Sequence, residues 1–186
     1  GVNLVNEGEF EGLVLANQGE HFCAGANLFM VLGYAMQGDW DTLSNIISVF
    51  QDTNMAMRFC RGHVVSAPHH YTFGGGIEMS QHTSRCVVAA ETYGGLVEVG
   101  VGIIPAGGGT KEMLRRALAY VPETITQGDP FPYVRRAFEN IGMAKVSMSG
   151  PELIKLGYLT ENEYICINDH HQVKRAKDVC RSLILA

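Results

Sequence analysis

Tyr71 to Arg115 reads YTFGGGIEMSQHTSRCVVAAETYGGLVEVGVGIIPAGGGTKEMLR. It holds two glycine triplets, a strand-like apolar run between them, and two glutamates with apolar flanks. Gly74-Gly75-Gly76 follows the β-like Val64, Val65 and Ala67 and leads into Ile77-Glu78-Met79-Ser80, which reads as the first turn of a helix. Residues without side chains at a strand-to-helix junction let the backbone approach a ligand closely, and the first amides of the helix lack partners. Such a junction suits an oxygen that carries negative charge. Glu78 lies in that first turn, where the helix dipole favours its ionised form. Glu98 is flanked by Leu96, Val97 and Val99, so burial is expected to raise its pKa. Either feature alone is common in ordinary turns, but two carboxylates in unlike surroundings beside glycine-rich backbone suit acid and base work.

Outward from this stretch, the same pattern repeats. Downstream, Arg85 to Ala90 is a continuous apolar strand, and Tyr93 to Gly109 carries Glu98 into the second triplet. Thr110 is the expected cap of the next helix, with Met113, Leu114, Ala117 and Leu118 as its inner face. Upstream, Gly12 to Asn17 reads as a buried strand. In Phe22-Cys23-Ala24-Gly25-Ala26-Asn27-Leu28 small residues again crowd a strand-to-helix transition and leave the Ala24 amide accessible. Asp41 to Phe59 spaces Leu43, Ile46, Ile47, Phe50 and Met57 as the core stripe of a helix capped by Asp39 or Asp41. His63 to Ala67 is the next strand, and Pro68 is expected to end regular pairing before the first triplet. Strand, glycine-rich turn, helix, repeated, implies an α/β fold with crossovers.

Beyond Ala119 the pattern becomes mainly helical. Pro122 to Pro132 reads as a surface loop, followed by a helix with Val134, Phe138 and Ile141 on one side. Ser149-Gly150-Pro151-Glu152 is a capping box with proline in the first turn, and Gly157 stops that helix. Tyr164 to Ile167 is a candidate strand. Val173, Ala176, Cys180, Leu183 and Ile184 mark a final amphipathic helix whose stripe needs a partner, in its own core or in another subunit.

The 186 residues, 46% of them hydrophobic, are enough for one domain, with 1–118 as its core and 119–186 as its helical part. A formal net charge of -5 and no block of Lys or Arg argue against nucleic acid or an anionic membrane as main partner. Five cysteines without CxxC spacing suit buried free thiols in a reducing compartment. With neither a long apolar run nor a signal-like start, the expected location is the cytoplasm. His69-His70 and His170-His171 do not form a pattern expected to hold a metal.

Taken together, FCAGANL, FGGGIE and VEVGVGIIPAGGGT resemble the crotonase (enoyl-CoA hydratase/isomerase) superfamily, in this order and at about its usual separations. The resemblance runs from about Glu11 to Arg116, and more weakly through AKVSMSGPELIKLGYL. It is greatest to the hydratase part of bifunctional 3-hydroxyacyl-CoA dehydrogenase/enoyl-CoA hydratase chains. It implies a crotonase-like (ClpP/crotonase) spiral of strand-strand-helix units with C-terminal helices. It further implies that the amides of Ala24 and Gly75 form an oxyanion hole, that Glu78 and Glu98 are the catalytic pair, and that Cys23, Gly25, Ala26, Gly74, Gly76 and Gly102 line the substrate site. The implied reaction adds water to a trans-2-enoyl-CoA thioester in fatty-acid β-oxidation. It uses no metal and no separate cofactor, CoA being part of the substrate, and the implied assembly is a homo-oligomer, trimer or hexamer.

The chain also departs from that family's pattern. Only about eleven residues precede GLVLAN, where relatives have a further strand that helps to bind CoA, so the expectation is a part of a longer chain or an incomplete CoA pocket. Asn27 stands where many relatives have Asp, Val97 where simple hydratases often have Pro, and His69-His70-Tyr71 where a small-residue turn is expected. Gly100-Val101-Gly102 lacks the third glycine of a dinucleotide fingerprint, and Gly109-Thr110-Lys111 is not a P-loop. Two alternatives stay open: a double-bond isomerase on the same fold, which commonly needs one glutamate, and a non-catalytic acyl-CoA-binding or assembly module.

Overall fold

The computed structural model describes residues 1–121 and 129–186. A short helix α1 (Val2–Asn6) precedes β1 (Gly12–Leu15), α2 (Leu28–Gln37) and α3 (Trp40–Arg58). There follow β2 (His63–Ser66), β3 (His70–Phe73), α4 (Gly75–Gln81), β4 (Arg85–Ala89), β5 (Thr92–Gly95) and α5 (Gly109–Ala119). The remainder is α6 (Phe131–Gly142), α7 (Gly150–Lys155), β6 (Tyr164–Cys166) and α8 (Gln172–Ile184).

Two parallel sheets result, one of order β1-β2-β4-β6 and one pairing β3 with β5. Each turn of the chain gives one strand to each sheet and then a helix: β2, β3, α4, then β4, β5, α5. Cys23 bridges in parallel to Thr72, so β1, Cys23 and α2 form a first, abbreviated turn. This is a spiral of strand-strand-helix units, as the family resemblance implies.

The central strands β2 and β4 of the first sheet are buried on both faces, which explains their continuous apolar runs. On one side Val65, Ala67 and Val87 pack against Ala176, Val179 and Cys180 of α8. The stripe of the last helix is thus covered by the chain's own core. Approach is close: a Cβ on Gly12 would lie 2.5 Å from Cys180 Sγ. On the other side Ile77, Val88, Leu96, Met113, Leu153 and Tyr158 form a second cluster.

Several sequence expectations are corrected. Pro68 does not end strand pairing. It marks the corner where the chain leaves one sheet for the other, its carbonyl accepting from Ala89 N (3.0 Å) and Gln172 Nε2 (2.7 Å), and β3 begins two residues on at His70. The α3 stripe is not core. Only Asn54 and Met57 are buried, while Leu43, Ile46 and Phe50 are half-buried and Ile47 is exposed. Of the two candidate caps, Asp39 is the one used, accepting from Thr42 N at 3.1 Å. Thr110 is inside α5, not its cap, which is Gly108. The inner face of α5 carries Glu112, Met113 and Arg116, whereas Leu114 and Leu118 are exposed. On α6 Phe138 is exposed and Ala137 and Asn140 are buried. Only Cys86 and Cys180 are buried thiols, with Cys23, Cys60 and Cys166 half-buried.

Half of the capping box at Ser149 forms as expected, Ser149 Oγ accepting from Glu152 N at 3.3 Å, while Glu152 Oε2 accepts from Met148 N (2.7 Å) one residue ahead of the cap; Gly157 takes φ +83°. Of the loop expected over Pro122 to Pro132, residues 122–128 lie outside the described residues and α6 already begins at Phe131.

Candidate active site

The site forms where the two sheets hand the chain to α4. Cys23 N donates to Tyr71 O (3.0 Å) and Phe73 N to Cys23 O (2.9 Å). This pairing carries Ala24 and Gly25 alongside the end of β3. Gly25 has φ +98° and Gly74 has φ +52°, conformations that favour glycine. Gly74 N is fixed on Gly95 O at 2.9 Å, and Gly74 O accepts from Ile77 N and Glu78 N. Gly75 is the first residue of α4, so its N–H has no carbonyl a turn back to bond. A Cβ on Gly76 would lie 2.6 Å from Cys23 Cβ, so only glycine lets α4 pack on the Cys23 segment.

Glu78 points inward from α4 and is 2% exposed. Its Oε1 accepts from Gly109 N at 2.8 Å, and a Cβ on Gly107 would meet its Oε2 at 2.6 Å. The second glycine triplet is therefore the cradle of the first triplet's glutamate. Glu98 arrives from the other side, in a 3-10 turn (Glu98–Val101) after β5. Its Oε1 would stand 3.0 Å from a Cβ on Gly74, and its buried Oε2 has no hydrogen-bond partner among the described residues. The spiral thus brings Glu78, Glu98, Gly74 and Gly75 together, with Cys23 and Gly76 beneath. Ala26 is exposed ahead of α2, and Gly102, at φ +83°, ends the 3-10 turn with nothing within 4 Å of its missing side chain. Among the described residues no hydrogen bond ties these two to the carboxylates.

Burial pushes the Glu78 carboxyl above its ordinary range, against the lowering effect of the Gly109, Gly107 and Gly108 amides. This reverses the direction expected from the helix dipole, because the side chain leaves the helix end for an apolar interior. Burial likewise raises Glu98 to about 7; its own backbone amide lowers it and the Glu78 charge raises it. Both carboxyls of the site therefore hold their protons more tightly than an exposed glutamate does.

Other contributors were not marked as functional in the sequence. Phe50 stands over this backbone: a Cβ on Gly75 would lie 3.1 Å from its Cζ. Gln51 Nε2 donates to Ala106 O (2.6 Å) and Asn54 Nδ2 to Gly107 O (2.7 Å), so α3 grips the loop that holds Glu78. Their signal in the sequence was a polar pair inside an otherwise apolar stripe. His69 and His70 belong to a group of aromatic rings with His21, Tyr71 and Phe22, and among the described residues no group of three His, Cys, Asp or Glu side chains is placed to hold a metal.

Comparison with known proteins agrees with this architecture. The family model described as Enoyl-CoA hydratase/isomerase matches residues 5–122. The chain is 39% identical over 177 residues to a Bacillus subtilis (strain 168) protein named "Probable 3-hydroxyacyl-CoA dehydrogenase", covering 95% of this chain and 22% of that protein. It is 32% identical over 115 residues to the fatty acid oxidation complex subunit alpha of Shewanella sp. (strain W3-18-1), covering 60% of this chain and 16% of that one. The chain thus spans under a quarter of the length of either relative. Among solved structures, an enoyl-CoA hydratase from Polaromonas sp. JS666 superposes with a TM-score of 0.78 at 20% identity, over 98% of this chain and 63% of that one. With its fold that of the crotonases and a family match over most of its length, this chain belongs to the enoyl-CoA hydratase/isomerase family.

Proposed function

We propose that the chain hydrates trans-2-enoyl-CoA thioesters to 3-hydroxyacyl-CoA, as the hydratase part of a fatty-acid oxidation enzyme acting in the cytoplasm as a homo-oligomer. The observation that carries this reading is the convergence of Glu78 and Glu98 on the Gly74-Gly75 junction, with one free carboxylate oxygen and a pKa of about 7 at Glu98. Family membership and the fold support the same chemistry.

The thioester carbonyl is received by the amides of Ala24 and Gly75. As water attacks the β-carbon, charge moves to that oxygen as an enolate, and each preset donor stabilises it by about 3 kcal/mol. Glu78, held in place by Gly109 N, takes the proton of the attacking water. Glu98, largely protonated below about pH 7, delivers a proton to the α-carbon. The two then exchange roles for the reverse reaction. The chemistry needs no metal or redox cofactor, and neither nucleic acid nor membrane has a part in it; no helix among the described residues is long and apolar enough to cross a membrane.

The test is the loss of enoyl-thioester absorbance with crotonyl-CoA, using Glu78→Gln and Glu98→Gln alongside the natural chain. Turnover lost in both variants supports the hydratase. Loss in Glu78→Gln alone favours the isomerase, and binding of CoA without turnover by any form favours the non-catalytic module.

A further inference from the structure

Phe50 was expected to be a core residue of α3, yet it is half-buried and its ring stands between the two glycine triplets. Its Cζ and Cε1 would meet a Cβ on Gly75 at 3.1 and 3.5 Å, and its Cδ1 would meet one on Gly107 at 2.5 Å, where Glu78 Oε2 is 2.6 Å away. The ring therefore stands close over both Gly75 and Gly107, beside the Glu78 carboxylate. The helix that carries it is tied to this loop, because the adjacent Gln51 and, a turn on, Asn54 donate to Ala106 O and Gly107 O.

From this point an apolar line leads away. Ile46 and Leu43 lie one and two turns before Phe50 on the same helical face, and both are half-buried and not packed into the core. α2, which packs on α3, buries none of its side chains and leaves Leu32 and Met36 exposed. An acyl chain whose thioester sits at Gly75 has apolar surface to follow along α3, but the Phe50 ring stands at its start.

We propose that Phe50 is a specificity-determining residue that sets the acyl length accepted at the Gly74-Gly75 junction, favouring short enoyl groups and obstructing long ones. This rests on the function proposed above. The ring fills the volume that the fifth and later carbons of a long acyl chain need to reach the Ile46 and Leu43 face. Truncating it opens that route. It also exposes the face of Glu78 that the ring shields from water, which lowers the Glu78 pKa from its raised value.

The experiment compares kcat/KM for crotonyl-CoA and trans-2-decenoyl-CoA in the natural chain, Phe50→Ala and Phe50→Leu, with thermal melting of each. The expected result is a rise of about tenfold in the decenoyl-to-crotonyl ratio for Phe50→Ala, an intermediate rise for Phe50→Leu, and a shift of the acid limb of the pH profile to lower pH. A ratio unchanged in both folded variants overturns the proposal. Binding of the saturated butyryl-CoA and decanoyl-CoA, measured by calorimetry, gives an independent reading. If the natural chain turns nothing over, the hydratase reading fails, yet the ratio of the two dissociation constants still responds to Phe50→Ala if the ring gates length and stays constant if it does not.

Discussion

Two buried glutamates, on α4 and α5, differ in what surrounds them. Glu112 is fully buried, with Arg58 Nη2 at 2.6 Å, Arg115 Nη2 at 2.9 Å and Lys111 Nζ at 3.3 Å. Burial works against its ionisation, but the Arg115 hydrogen bond and the charges of Arg58, Arg115 and His82 outweigh it and hold the carboxyl below its ordinary range. Glu78 is almost as buried, yet its carboxylate is held by backbone amides alone, whose lowering effect does not offset burial, so its pKa goes up. Burial by itself therefore does not make a carboxylate reactive. A partner of opposite charge fixes Glu112 as permanent structure, and its lack leaves Glu78 and Glu98 able to take up and release protons.

The largest effect that sharpens this contrast is kinetic. Glu78→Gln and Glu98→Gln are each expected to lower the rate of crotonyl-CoA hydration by about 10²–10⁴-fold without loss of fold, whereas Glu112→Gln should change turnover per folded molecule far less. Next is stability. Glu112→Gln leaves Arg58 and Arg116 without their buried counter-charge and should cost about 3 kcal/mol in denaturant unfolding. At pH 8 Glu98→Gln should instead raise the melting temperature, since the amide replaces a charge that the site disfavours. Equal destabilisation by both changes would break the comparison.

The pH dependence follows with opposite signs. A raised carboxyl binds its proton more tightly in the folded state, so Glu98 causes stability to fall as pH rises from the ordinary carboxylate range to about 7. Glu98→Gln should flatten that slope, and kcat/KM in the hydration direction should decline above about pH 7. For Glu112 the contribution is present above the unfolded-state pKa and is lost as pH falls through its lowered folded value. The smallest effects concern single supports. Asn54→Ala should cost about 1–2 kcal/mol and slow turnover by loosening Gly107, while Arg115→Ala, at the half-exposed edge of the Glu112 cluster, should cost about 0.5 kcal/mol and leave turnover intact.

These predictions also mark what the sequence made legible. The junction at Gly74 could be read because its signals are local: an apolar strand, glycines, then a helical turn. Glu98 was legible through its apolar neighbours. β3 was not, since His70-Tyr71-Thr72-Phe73 acquires its strand character from β5 and Cys23, both far along the chain. The α3 stripe has core periodicity, and periodicity does not say whether a face meets a core or a cavity. The burial that raises the Glu78 pKa and the charged inner face of α5 likewise depend on long-range approach, of Phe50 to the one and Arg58 to the other.

The most direct test of the central claim is the product formed from crotonyl-CoA in D2O, identified by mass spectrometry. The account predicts 3-hydroxybutyryl-CoA bearing one non-exchangeable deuterium at the α-carbon, made by the natural chain and not by Glu98→Gln. Deuterium incorporation or bond migration without oxygen at the β-carbon, or product formed equally well by Glu98→Gln, would contradict it.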